Sequence, residues 1–569
     1  MELDTPLLGG RSRLYLRQGR RLIFVFLAGA GAFLGLDGFA STGPRGALLD
    51  GRGRAADDAA PTADELRGYN SCAAAATGEV TCTLDPRAFL EFGSVRASLA
   101  RSGVESDAEA LDGYLPRAVV TTWDPALVGD HFDGGRIAYA LYLPSGKGSN
   151  ATVASYVVVA ALDGTPRNVV EARDWDDGVG STHVDGLKVL NPDALLLNSN
   201  EWDTEYGRGY AWTWDGGGLT RFNDNLLSSS HDIQMAYEPD SPLASSYWIP
   251  AKTKLRRVDT DSGEILETFA FDSGDHDMNH CQLIDGDDTA ILSFRLTNGV
   301  KRYHLGSRAT IWTAGGSEGT LDVVDEAGTN LGPHATLWRG QHNAEWFGDD
   351  TFYAFDNQYN TTRPSRVVKV EVDTVKNTAT LAWSYVFFDA YPEGQSGEFG
   401  DADLLPSGNV LASWWPGRLK PAAGLDFDVQ MIEVTEDKRR AWSMSFINAG
   451  PGLEGTDGLD RDTAYGWKLY SAERFYDAPV VDGDAARLSG GALAFTAHSA
   501  FKRQNTSPAS WRLTDANGVE YGAGGFDFPA YWRGADVAAA VDVPDGVDDL
   551  ALAVTDEFGR TRRVRVARG

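Results

Sequence analysis

One short pattern returns five times between residues 182 and 415, and it restricts the fold more than any other feature of the chain. Each copy opens on a His or Asp, passes through an apolar or acidic stretch, turns at Gly, Asp, Asn or Pro, and enters a second apolar segment. The copies are THVDGLKVLNPDALLLNSN (182–200), SHDIQMAYEPDSPLASSYWI (230–249), NHCQLIDGDDTAILSFR (279–295), QHNAEWFGDDTFYAFDN (341–357) and GDADLLPSGNVLASWW (400–415). A weaker sixth is AYGWKLYSAERFYDAPVV (464–481). Between copies lies another hairpin, as in RVVKVEVDTVKNTATLAWSYVF (366–387). These segments have strand length and turn boundaries, with almost no helical period. The openings His183, His231, His280, His342 and Asp401 stand roughly 50 to 60 residues apart, the period of a four-stranded propeller blade with its loops.

One such unit cannot bury both of its faces, so stacking around an axis must supply the core. The expected fold is all-β: a six-bladed β-propeller over 117–484, with 117–182 supplying outer strands that close the ring. Residues 485–569 alternate strictly and lack the opening pattern, which predicts a small C-terminal β-sandwich-like accessory domain. At the other end, Arg20 and Arg21 precede the apolar run LIFVFLAGAGAFLGL (22–36). Residues 1–40 therefore read as a signal peptide or a single-pass signal anchor. Residues 41–116 read as a linker or stem, in which Cys72 and Cys82 can close a short disulfide loop and Cys281 is left over. This places the body in the secretory pathway, either secreted or anchored in the Golgi or plasma membrane. The sequons at Asn150, Asn360 and Asn505 are compatible with glycosylation there. The sequence is silent on oligomeric state.

The net charge of −30 argues against a nucleic-acid partner, because counterion release needs basic patches. It also requires any anionic substrate to find a locally positive pocket. The first strand of each propeller blade lines the central channel, so His183, His231, His280 and His342 are candidates to converge on one site. A His at such a position also locks adjacent blades by bonding backbone, and His231-Asp232 fits that structural role best. Convergent imidazoles can hold zinc, but no tight ligand spacing is present, and no metal or cofactor is expected. His131, His304, His334 and His498 lie outside the register and carry no assigned role.

GQHNAEWFGDDTFYAFDNQYNTTRPSRVVKVEVD (340–373) resembles the Q-H-D, F-D-N and R-P-S-R patterns of the aryl-sulfate sulfotransferase family. NHCQLIDGDDTAILSFRLTNGVKRY, with the later ATIWTAGG, resembles its H-x-N, S-S-R and I-x-W-x-x-G-G patterns. The resemblance covers roughly 180–480. It implies a six-bladed propeller that moves a sulfuryl group from an aryl sulfate ester to an acceptor phenol through a sulfohistidine, with no nucleotide sulfate donor. By motif the nucleophile is His342. His280 and Arg295 hold sulfuryl oxygens, His183 assists, and Gln282, Asn343 and Asn357 bind substrate. This chain departs from the pattern at Asn343 (Asp in the family), Gln282 (Asn) and Phe294 (Ser). Two other classes stay open: a non-catalytic propeller that binds carbohydrate or protein, and a metal-dependent propeller lyase or hydrolase.

Overall fold

The second strand of each unit is a run of apolar residues, such as TAILSF (289–294) and TFYAFD (351–356), and every residue of both is buried. The strand before it is equally buried at Met278–Ile284 and His342–Trp346. Outer strands alternate instead: Arg366–Asp373 exposes or half-exposes every second or third residue. Strands covered on both faces read as continuous apolar runs, and strands with one wet face alternate. The computed structural model describes residues 60–568, apart from 105, 145–151, 173–182, 201–206, 222–230, 237–244, 272–276, 287, 389–394, 417–426, 448–465 and 483–485.

Among the described residues six sheets carry the repeat, all antiparallel except where Asp322–Val324 pairs in parallel with Thr378–Val386. Their inner strands are His183–Asn191, Gln234–Met235, Met278–Ile284, His342–Trp346, Asp401–Leu404 and Lys468–Tyr476. The last of these does not pair with the strands that follow it. It pairs with Gly135–Pro144, from the start of the chain, and continues into Thr152–Ala161 and Pro166–Glu171. Trp467, Tyr139, Val157 and Leu187 share one core across that junction. The result is an all-β, propeller-like fold of small antiparallel sheets with few and short helices.

The linker expected over 41–116 is corrected for its described part. Asn70–Ala74 and Val80–Leu84 form a hairpin, tied by a Cys72–Cys82 disulfide, that extends the Asp401–Ile447 sheet through Ala118–Trp123. The helix Gly93–Arg101 buries Val95 and Leu99, and Ser94 donates to the Val169 carbonyl at 2.7 Å. The polar, Gly-rich composition belongs to residues before this segment. The segment itself carries Leu66, Leu84, Phe89 and Leu115, all buried in the main core.

The C-terminal region forms two sheets. One joins Val480–Val481, Arg487–Ser489, Ala492–His498, Ala535–Ala540 and Ala567–Arg568; the other joins Ser507–Asp515, Glu520–Phe528, Leu550–Asp556 and Thr561–Arg565. Phe495, Trp511, Leu513, Leu552 and Val554 close a core between them. Among the described residues no helix is long and apolar enough to cross a membrane. The expected signal or anchor, residues 1–40, and the sequon at Asn150 lie outside the described residues.

Candidate functional site

The inner strands are not regular. Pairing slips by one residue between Val184 and Gly186, Met278 and His280, His342 and Glu345, and Leu469 and Ala472. A bulge re-aims side chains and is common beside active sites. At His342–Glu345 it adds one residue, so two side chains three apart fall on the same face. Asn343 sits inside that bulge with φ +43, and Asp277 and Phe399, which precede two other inner strands, have φ +66 and +63. A left-handed Phe is rare enough to mark a functional or strained position. Neighbouring Gly400, at φ +111, has the Phe355 ring where a Cβ would stand, so no larger residue fits there.

These bulges divide the channel into two layers. The first holds His342. Its Nδ1 lies 2.7 Å from Asn357 Oδ1. Asn357 Nδ2 donates to the carbonyls of Ser396 (2.9 Å) and Phe399 (2.8 Å). The amide orientation is therefore fixed, and Oδ1, which can only accept, faces the imidazole. His342 must carry its proton on Nδ1, which leaves the Nε2 lone pair bare. Burial, then the nearby Arg295 guanidinium, pushes the His342 imidazole down to about 3, so the ring is neutral.

Arg295 follows the strand Thr289–Phe294. Its Nη1 donates to Asp277 Oδ2 at 3.1 Å and its Nη2 to the Gly397 carbonyl at 3.4 Å, and the guanidinium lies 4.9 Å from the Tyr359 ring centroid. Arg295 Nε has no hydrogen-bond partner among the described residues. The positive charge expected here is partly offset by Asp277 and by Glu398, 3.9 Å away. Tyr470 packs between His342 (5.7 Å) and His231 (5.4 Å), and donates its hydroxyl to the Asn279 carbonyl at 3.3 Å. Asp185 stands 3.5 Å from His183 Nε2 and 3.8 Å from His231 Nδ1, and His183 stacks on Tyr142 at 4.9 Å. Burial raises both phenols, Tyr142 and Tyr470, well above their ordinary value.

The second layer lies about three residues further along the inner strands, roughly 10 Å at 3.3 Å per residue. Lys188 Nζ stands 2.9 Å from Glu345 Oε1, 3.2 Å from Glu473 Oε1 and 3.9 Å from Asp232 Oδ1. Lys502, from the C-terminal region, reaches Asp403 at 2.8 Å, Glu345 at 2.9 Å and Glu473 at 3.1 Å. Glu345, Asp401 and Asp403 bring oxygens within 4.8 Å of one another, a spacing suited to a cation, and the Lys502 ammonium contacts two of the three. Burial alone would raise Glu345, but Lys188 and Lys502 hold it well below its ordinary value. Asp403 goes the other way: burial keeps it well above.

His280 belongs to this second layer. Its Nδ1 is 2.9 Å from Asp232 Oδ2 and its Nε2 is 3.4 Å from Glu345 Oε1. Both nitrogens thus face carboxylates at ion-pair distance, without a well-formed hydrogen bond among the described residues, and His280 stands with Asp232 and Glu345 instead of with Arg295. Gln282 is likewise held within the protein. Its Oε1 accepts from Trp346 N at 2.6 Å and its Nε2 donates to Trp346 O at 3.3 Å, so the longer arm clamps the next inner strand. Asn357 orients His342 and has no donor left for a substrate. The F-D-N and R-P-S-R motifs support it: Arg366 pairs with Asp356 at 2.9 Å, and Ser365 Oγ donates to the Asn357 carbonyl at 2.8 Å. Gln341 is stitched to the preceding sheet through Phe294 O and Gly299 O, both at 3.1 Å. Asn343 is buried, and its Oδ1 has no partner among the described residues. The structure therefore groups His342 with Arg295, connects His183 to that layer through Asp185 and His231, and moves His280 and Gln282 out of it. His231, expected to be structural, is 28% exposed in the first layer. Asp185, Asp277, Tyr470 and Phe399 were not foreseen; only the repeat position of Asp277 and Tyr470, at the start of an inner strand, could have shown them.

No family model and no curated protein matches the chain. Among solved structures it is similar to a putative 6-phosphogluconolactonase from Bacteroides fragilis, at 10% identity over 71% of this chain and 98% of that one, with a TM-score of 0.33. It is also similar to hydrazine synthase from Kuenenia stuttgartiensis (10% identity, 56% and 76% covered, TM-score 0.28). A functionally unknown protein from Desulfotomaculum acetoxidans gives 10% identity, 62% and 95% covered, and a TM-score of 0.30. None of these likenesses bears on the chemistry of the channel.

Proposed function

We propose that this chain is a six-bladed β-propeller enzyme that transfers a sulfuryl group from an aryl sulfate ester to a phenol, with His342 as the nucleophile. The six repeat-bearing sheets are its blades, closed by Lys468–Tyr476 on the early strands. One observation carries the reading. Asn357 accepts from His342 Nδ1 at 2.7 Å while both of its own amide hydrogens are held by carbonyls, which leaves Nε2 as a bare, neutral nucleophile.

In the first step the Nε2 lone pair attacks sulfur, the sulfur–aryl oxygen bond breaks, and its electron pair leaves on the phenolate. The ring becomes a cationic N-sulfoimidazole, and Asn357 Oδ1 accepts from its Nδ1–H. His231, partly exposed beside Tyr470, returns a proton to the phenolate. An acceptor phenol then loses its proton to His231, its oxygen attacks sulfur, and the N–S bond electrons return to Nε2. Sulfuryl transfer resembles phosphoryl transfer, in which charge sits on equatorial oxygens. Arg295 offers those oxygens its Nε, which has no partner among the described residues, and the fork now held by Asp277. A phenol, with a pKa of about 10, is an adequate leaving group, and an alkoxide is not. Alkyl sulfates should therefore be poor donors. The rival reading, a metal in the channel, is disfavoured because Lys502 already contacts Glu345 and Asp403.

Incubation with a chromogenic aryl sulfate, with and without a phenol, tests this. Intact-mass measurement of the quenched enzyme should show a gain of one sulfuryl group that is absent in His342→Ala. Neither phenol release nor a mass gain in the folded wild type would defeat the proposal.

A further inference from the structure

His131 and His498, which stand outside the repeat register, meet at one carboxylate away from the channel. His131 ends the short turn Gly129–His131 just before the strand Gly135–Pro144. His498 ends Ala492–His498 in the C-terminal region, and Val480 and Val481 pair with it and with Ala497, which sets Asp482 beside it. His131 Nε2 lies 3.8 Å from Asp482 Oδ1, and His498 Nε2 lies 3.8 Å from Asp482 Oδ2. Each carboxylate oxygen thus faces one imidazole nitrogen across a gap too long for a hydrogen bond. The two ring centroids are 6.2 Å apart.

The surroundings suit an ion. The histidine side chains are 13% and 7% exposed, while Asp482 is 39% exposed and gives a way in from solvent. The nearest other charges, Glu433 and Arg474, pair with each other at 3.1 Å and are fully buried. The Tyr476 ring, 6.1 Å from His131, closes the inner side.

We propose that His131, Asp482 and His498 form a binding site for a zinc-class transition-metal ion, which clips the C-terminal region to the propeller-like body. Two imidazole nitrogens and one carboxylate oxygen are a zinc donor set with a fourth position left to water. Ion–donor distances of about 2.1 Å place tetrahedral donors roughly 3.4 Å apart. Each imidazole stands 3.8 Å from its own carboxylate oxygen, but the three donor atoms do not all lie within 4.8 Å of one another, so binding draws them together by more than about 1 Å through side-chain rotation. No tight spacing in the sequence reveals it, because the ligands come from opposite ends of the body.

The full chain, made without a polyhistidine tag and stripped with a chelator, should bind one equivalent of Zn2+ by calorimetry. Co2+ should give the intense visible bands of a four-coordinate site. Asp482→Asn and His498→Gln should each weaken Zn2+ binding by more than the roughly 100-fold that loss of an outer-shell partner can cost. Arylsulfatase-type turnover is not needed for any of these readings. Absence of saturable binding at one equivalent, or affinity unchanged in both variants, would overturn the site. If the variants fail to fold, X-ray absorption of the wild type with Zn2+ decides: two histidine nitrogens support the site, and an all-oxygen shell overturns it.

Discussion

The two layers of the channel are lined by the same residue types, yet they are built for opposite ends. In the layer around His342 the charges are few and partly open to solvent, and key polar atoms, Arg295 Nε and Asn343 Oδ1, face no partner among the described residues. In the layer around Glu345, His280, Asp232, Asp403, Glu345 and Glu473 are buried, and two lysines whose side chains are about one-tenth exposed reach in to meet them. A cluster of mutually ion-paired charges fixes a fold, because removing any one member strands the others. A layer with an unpartnered guanidinium donor and a neutral imidazole has polar atoms that the described residues leave available. A histidine's identity therefore says little; His280 and His342, on the inner strands Met278–Ile284 and His342–Trp346 and both buried, differ in what their nitrogens touch.

The strongest way to break this contrast is to delete one residue from each layer. His342→Ala should lower kcat/KM for aryl-sulfate turnover by at least about 10⁴-fold, as loss of a covalent nucleophile does. Its stability should fall by no more than about 1–3 kcal/mol, the cost of leaving Asn357 Oδ1 unpaired. Chromogenic assay and denaturant unfolding read the two effects separately. Lys502→Met should do the reverse. It removes a buried ammonium from three carboxylates and should cost about 3–5 kcal/mol of stability. It should also loosen the C-terminal region, seen as faster proteolysis there, since Lys502 is a principal polar tie alongside the Arg533–Asp349 pair at 2.7 Å and the Arg560–Asp193 pair. A Lys502→Met protein as stable as wild type would remove the distinction between the layers.

Much of the contrast was hidden from the sequence for a physical reason. Repeat position places His183, His231, His280 and His342 on inner strands, and the apolar runs of the second strands make the sheets legible. The bulges are not legible, and they set which layer each residue enters. Gln282 stands where the resemblance has Asn and is longer by one methylene, which changes the donor's reach but not its chemistry; in the fold that methylene brings the amide to Trp346. Lys502 carries no signal in the sequence, because nothing local records that its ammonium reaches the carboxylates of the inner strands. The hairpin at 70–84 was taken for stem, since a five-residue strand with one disulfide has no period of its own.

Acidity sharpens the comparison further. Burial tends to lower His280, but Asp232 and Glu345 outweigh it and hold the imidazole at about 8. Its folded value exceeds the unfolded value near 6.5, so its stabilisation is complete below about pH 6.5 and is lost as pH rises through 8. Wild type should lose about 2 kcal/mol of unfolding free energy between roughly pH 6.5 and 8.5 from this group, a slope that His280→Gln abolishes. His342, pushed down to about 3, runs the other way. The unfolded chain takes up its proton first, so acidification from 6.5 downward weakens the fold, and turnover should show no acid limb from His342 near neutral pH. Unfolding curves over pH 4 to 9 check the first, and the pH profile of kcat/KM the second.

The smallest expected effect tests whether the first layer is waiting for an anion. Asp277 accepts from Arg295 Nη1 at 3.1 Å, and its carbonyl accepts from Arg295 N at 3.0 Å. An incoming sulfate ester must compete with the carboxylate for the fork, while the backbone contact holds Arg295 in place regardless. Asp277→Asn keeps the shape and one acceptor oxygen but removes the competing charge. KM for an aryl sulfate should then fall by about threefold to tenfold, up to about 1.4 kcal/mol, with kcat little changed. Binding of an uncharged phenol, measured by competition, should not move. A higher KM would mean that Asp277 positions the guanidinium instead of competing for it. In that case the first layer is already satisfied, like the second, and the contrast between them rests on His342 alone.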